Sequence, residues 1–175
     1  EIIMNSAILV YECEGSETEI KDWFKIINTA GIPLNEQELL NAVYSGPFTT
    51  IGRAEFSNSQ NANVSKWGAY VNGTVNRQEH WERALEWVSK GKGNIAGYMS
   101  MHRYDDNIYE VKNYFNSVID WASSLFNDVE KEMSGLEWGR LYETYHSKKY
   151  DLNELNDDVQ TLYGDGYVKN RRGIW

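Results

Sequence analysis

The chain has 175 residues with a formal net charge of −9, from 26 acids against 17 bases, which excludes a uniformly basic nucleic-acid surface and leaves only local DNA contact. Aromatic residues make up 14% of it, too many for a disordered chain, and the size is enough for one packed domain or a large piece of a bigger one. Its longest apolar run, residues 7–10, is too short to cross a membrane, and its single cysteine, Cys13, can form neither an internal disulfide nor a Cys-rich zinc site.

Residues 7–13 (AILVYEC) predict a buried strand, because they are β-branched and aromatic and too few for a helix. The acidic stretch that follows contains Gly15 and predicts a turn. Ser16 and Glu19 then match the capping-box pattern, in which each side chain satisfies a backbone N–H of the other. Ile20, Trp23, Phe24 and Ile27 follow at helical spacing, and this helix is expected to end near Gly31, ahead of Pro33. A second box, Asn35 with Glu38, opens a helix carrying Leu39, Leu40 and Val43 that stops at Gly46 and Pro47.

Residues 48–56 predict a further helix, residues 58–63 a polar loop, and Trp67, Tyr70 and Val71 a short helix. Asn76 and Glu79 are expected to cap another, with Trp81, Ala84, Leu85 and Val88 inward and Gly91 and Gly93 ending it. The longest element is expected over residues 107–128. Ile108, Val111, Phe115, Val118, Ala122 and Leu125 form its inward stripe, with Tyr114 and Trp121 on a flank. A helix follows over residues 136–146. Asp151 and Glu154 open a last one, with Leu152, Leu155, Val159 and Leu162 inward. The expected fold is mainly α with an α+β remnant: one strand followed by a bundle-like region of about seven helices. A lone strand cannot satisfy its own edges, so it calls for partners outside these elements.

No P-loop, G-x-S-x-G elbow, H-E-x-x-H pair or C-x-x-C pair occurs. His80, His102 and His146 lie in separate segments. His102 with Asp105 and Asp106 is the constellation that would serve a compact enzyme. Cys13 stands between Glu12 and Glu14 rather than beside a cation that would activate a thiol.

The stretch 22–48 (DWFKIINTAGIPLNEQELLNAVYSGPF) resembles the N-terminal domain of GmrSD-type modification-dependent restriction systems, in the branch followed by an HNH nuclease. Phe24, Asn28, Gly31, Leu34, Glu38 and Leu39 stand where that family carries a Phe-x-x-x-Asn motif, a Gly, a Leu and a Glu-Leu pair. Residues 135–145 (GLEWGRLYETY) and 162–174 (LYGDGYVKNRRGI) also look like the nuclease-linked branch, so the resemblance covers nearly the whole chain. It implies a ParB/sulfiredoxin-like core that handles nucleotide or senses modified DNA, joined to a helical part. Residues 1–46, a strand plus two helices, would be the end of the core, and residues 47–175 the helical region. The family's Asp-Gly-Gln-Gln-Arg motif and its HNH residues are not in this sequence. The resemblance therefore implies an internal fragment, inactive alone and holding no cofactor itself. The parent would use a nucleoside triphosphate and Mg²⁺, act on DNA, carry the nuclease in cis and be cytoplasmic.

The resemblance also assigns a nucleotide-core motif of Phe24, Asn28, Gly31, Gln37 and Glu38. The Asn28 amide would orient a phosphate or the attacking water, and Gln37 and Glu38 would lie where first-turn N–H groups can hold an anion. Read from the residues alone, Asn28 equally serves as a helix terminator, Glu38 as the capping-box acid and Phe24 as a core contact. Lys169, Arg171 and Arg172 form a locally basic patch that is either a solvated turn or a contact to DNA phosphate. Trp138, Arg140, Tyr142 and Tyr145 cluster on one helix as packing or as a base-stacking platform. The function expected is sensing or relaying between a nucleotide-handling core and a nuclease within a phage-defence protein. The alternative is a non-catalytic helical protein-interaction module.

Overall fold

The computed structural model describes residues 12–27, 34–73, 78–125 and 131–147. They form α1 (Glu17–Ile27), α2 (Glu36–Val43), α3 (Pro47–Phe56), α4 (Val64–Gly68), α5 (Glu79–Val88), α6 (Ile95–His102), α7 (Tyr109–Leu125) and α8 (Trp138–Tyr145). Short 3-10 turns cover Lys92–Asn94 and Lys131–Gly135. The chain is mainly helical, as its patterning predicts, and no strand occurs among the described residues. The strand expected over residues 7–13 and the helix expected after Asp151 lie outside them, apart from Glu12 and Cys13, which have no regular structure.

α7 is the hub. Its 17 residues run about 25 Å at ~1.5 Å each. The expected stripe is buried: Val111, Phe115, Val118, Ala122 and Leu125, with Ile119 beside them and Ile108 just before the helix. α7 packs against α5 and α8, and α3 and α6 close over α5. The core is unusually aromatic. Phe56 stacks on Trp67 at 5.1 Å and on Trp81 at 5.6 Å between ring centroids. Phe115 meets Phe56 and Trp67 edge-on at 5.2 and 5.4 Å and stacks on Trp87 at 4.9 Å.

A buried indole needs an acceptor for its N–H. Trp67 Nε1 donates to Asn116 Oδ1 (3.2 Å), Trp81 Nε1 to Asn41 Oδ1 (3.1 Å) and Trp138 Nε1 to the Met133 carbonyl (2.7 Å). Two indoles also require glycine. A Cβ at Gly52 would lie 2.3 Å from Trp81 Cη2, and one at Gly139 would lie 2.4 Å from Trp87 Cδ1. These contacts fix how closely α3 and α8 approach α5.

Three local features differ from expectation. α5 begins at Glu79, with Gln78 at its N-cap in the left-handed region (φ 64°) and no side-chain cap; the expected cap at Asn76 lies outside the described residues. At its other end the left-handed residue is Lys90 (φ 60°), not a glycine. The Gly91 N–H bonds to the Glu86 carbonyl (2.9 Å) and the Lys90 N–H to the Trp87 carbonyl (3.2 Å), which closes the helix with a Schellman motif. α6 has no counterpart in the patterning because only Ile95 and Met99 of its eight residues are buried.

His80 is buried, and neither of its ring nitrogens has a hydrogen-bond partner among the described residues. Its edge faces the Trp67 ring at 6.3 Å. Burial holds its pKa below the usual 6.5, opposed only in part by the Glu79 charge. The unfolded chain therefore takes up this proton first. Stability from neutral His80 is complete above pH ~6.5 and declines as the pH falls from there toward the depressed folded value, at up to about 1.4 kcal/mol per pH unit for one proton. Glu17, Glu19 and Glu143 are held below 4.5, so their losses come at lower pH; burial raises Glu86 above 4.5, which opposes the His80 slope by the same amount in wild type and variant. Urea titrations between pH 7 and 5 should show this slope in the wild type and not in His80→Phe; equal slopes in both would contradict it.

Candidate functional site

α1 forms for the reasons its sequence predicts. The Ser16 N–H donates to Glu19 Oε2 (2.8 Å) and the Glu19 N–H to Ser16 Oγ (3.3 Å), closing the capping box. Lys21 pairs with Glu17 at 2.7 Å on the groove side, and Lys25 with Asp22 at 3.2 Å on the exposed face. The apolar face does not enter the core. Ile20, Trp23 and Phe24 instead line an open groove of about 500 Å³, shared with Ala42, Val43 and Ser45 from the second helix and its exit.

Glu17, Lys21 and Arg103 complete the groove wall. Arg103 Nη1 lies 2.5 Å from Glu17 Oε1, and Arg103 Nε donates to the Ser45 carbonyl (2.8 Å). Hydrogen bonds from Lys21 and then Arg103 hold the Glu17 carboxyl below its usual 4.5. Two cations share this one carboxylate. The Lys21 ammonium also lies 5.9 Å from the centre of the Tyr44 ring, so α1 leans on the end of α2.

α2 shows the second box in full: Glu38 N–H to Asn35 Oδ1 (2.8 Å) and Asn35 N–H to Glu38 Oε2 (2.9 Å). On the face toward the body it buries Gln37 and Asn41, which are four residues apart and hence adjacent on a helix. An indole N–H can only donate, so Trp81 Nε1 fixes the Asn41 amide with its oxygen inward. That oxygen also accepts from Gln37 Nε2 (2.9 Å), while Asn41 Nδ2 donates to Gln78 Oε1. Gln37 Nε2 further contacts Met99 Sδ at 3.7 Å, and Gln37 Oε1 is buried without a partner among the described residues.

The expected site residues separate. Phe24 is half-buried in the groove, not in the core. Gln37 lies in the amide cluster, away from the groove lining, and Glu38 caps α2. Asn28 and Gly31, with Lys169, Arg171 and Arg172, lie outside the described residues. His102 Nδ1 lies 2.8 Å from Asp105 Oδ2 on an exposed turn, with Tyr98 against the ring at 4.3 Å; Asp106 bonds to Asn107 instead. Trp138 and Tyr145 are buried, whereas Tyr142 is half-buried and stacks on His146 at 3.8 Å. No group of three or more His, Cys, Asp or Glu able to hold a metal forms among the described residues.

Asn41, Gln78 and Arg103 were not legible as site residues. A Gln and an Asn four apart on an otherwise apolar helix face was the only available signal for the amide cluster. Nothing in the sequence links Arg103 to Glu17 of α1, or to Ser45, which lies 58 residues before it. No protein-family model, curated protein or solved structure matches the chain.

Proposed function

We propose that this chain is part of a modification-dependent restriction or phage-defence protein, in which α1 and α2 relay between a nucleotide-handling core and a nuclease domain. The observation that carries the reading is the groove. Phe24, the first residue of the resembling spacing, lines an open apolar cleft between α1 and the end of α2, walled by two cations that share one carboxylate. An apolar cleft of this size with a few charged groups suits a ligand or a neighbouring domain. Nucleoside triphosphate, Mg²⁺ and DNA belong to the parent protein, with the nuclease in cis.

Binding of ATP, GTP and modified duplex DNA to the chain tests this, at ~50 and ~200 mM salt, because phosphate contacts weaken as salt rises. The expected result is salt-sensitive binding that Phe24→Ala weakens about tenfold, equal to ~1.4 kcal/mol of lost contact. Absence of binding to all three ligands would favour the second reading, a non-catalytic helical protein-interaction module. The net charge of −9 and the apolar groove floor support that alternative.

A further inference from the structure

We propose that α1 and α2 form a releasable arm, fastened to the helical body by directional polar contacts and able to swing about Ser45 and Gly46. What α2 buries against the body is mostly amide. Of its three buried residues, Gln37 and Asn41 are carboxamides, and Val43 lies outside the continuous apolar core, on the groove side. Leu40 and Tyr44 touch that core only as half-buried residues.

Polar contacts from three elements of the body hold the arm. The Asn41 amide bonds to Gln78 and Trp81 at the start of α5. Arg103, just past α6, grips Glu17 of α1 and the Ser45 carbonyl. Lys92 pairs with Glu36 at 3.3 Å on the surface. Such contacts trade for water at small net cost, unlike a large buried apolar face. Two details lower the cost of release further. Gln37 Oε1 gains a partner once it meets water. Gln78, held at φ 64° in the closed form, is freed from a backbone region that L-residues avoid.

The pivot is also defined. A Cβ on Gly46 would lie 2.4 Å from the Arg103 carbonyl oxygen, so only glycine allows the close approach of the chain to the body there. Thr49 Oγ1 donates to the Tyr44 carbonyl (2.8 Å) and braces the pivot from α3. Swinging the arm out uncovers Gln78, Met99 and the N–H edge of Trp81. The arm stands apart from the restriction reading, because a chain unrelated to any nuclease would open in the same way.

Native-state amide hydrogen exchange on the full chain tests it. The amides of Leu40, Val43 and Tyr44 should exchange roughly 100-fold faster than those of Val111, Phe115 and Val118, because α2, at eight residues, frays in water once it is released from the body, without global unfolding. Gln78→Gly removes the acceptor for Asn41 but suits the left-handed backbone, so the body keeps its stability. In that variant exchange in α2 should rise a further ~10-fold while α7 stays unchanged. Arg103→Met should act in the same direction by releasing Glu17 and Ser45. One common exchange rate for α2 and α7 in the wild type, or a parallel shift of both in Gln78→Gly, would overturn the proposal; these two measurements decide even if Arg103→Met does not fold.

Discussion

Phe115→Ala is expected to lower the unfolding free energy by roughly 3–5 kcal/mol, the range for emptying a fully buried phenylalanine site. The ring is completely buried at the centre of α7. It touches Phe56, Trp67 and Trp87 at once, so its loss ends three aromatic contacts. Pairs of this kind add about 0.5–1.5 kcal/mol each beyond the area they bury. The neighbours cannot collapse to fill the void. Trp67 is tied to Asn116 through its indole N–H, and Trp87 is wedged against Gly139. A loss in this range corresponds to a fall in melting temperature of roughly 6–20 °C for a chain of this length. Phe115→Leu keeps most of the volume and should cost less than half as much. Urea unfolding of both variants checks this. Equal costs for Ala and Leu would mean that the lost ring contacts account for the whole effect and the volume of the void for none of it.

Gly52→Val should cost about 3 kcal/mol or more, at the upper end for an overpacked core. The clash is with a ring that cannot retreat: the new Cβ would meet Trp81 Cη2, Cζ2 and Cζ3 at 2.3, 2.5 and 2.7 Å. The far side of the indole is pinned by its hydrogen bond to Asn41, and Phe48 and Phe56 lie at 5.6 Å between ring centroids. Either α3 moves off α5 or Trp81 leaves the amide cluster. A double-mutant cycle separates this from loss of helix propensity. Gly52→Val combined with Trp81→Leu should cost less than the sum of the two singles by more than about 1 kcal/mol. Strict additivity would show that the valine does not meet the indole.

Elements governed by short-range spacing were readable in advance. The stripe on α7 and the two capping boxes depend on neighbours three or four residues away, and all three stand in the structure. α6 escaped notice because a helix contributing only Ile95 and Met99 to the core has no stripe to read. At the end of α5, hydrogen bonds from two successive amides, not glycine content, put Lys90 in the left-handed position ahead of Gly91. At the groove, Phe24 was singled out, but its surroundings were not. The wall depends on Arg103, which reaches α1 from the far end of α6.

The mainly helical character, the starts of α1 and α2 and the inward face of α7 follow from local pattern, because helix capping and amphipathic burial depend on spacings within a turn or two. That Trp23 and Phe24 line a groove instead of the core, that Gln37 and Asn41 are joined to Gln78 and Trp81, and that Gly52 seats an indole follow from tertiary packing. Each of these depends on residues brought together from distant parts of the chain, and no local pattern records which distant side chain will arrive.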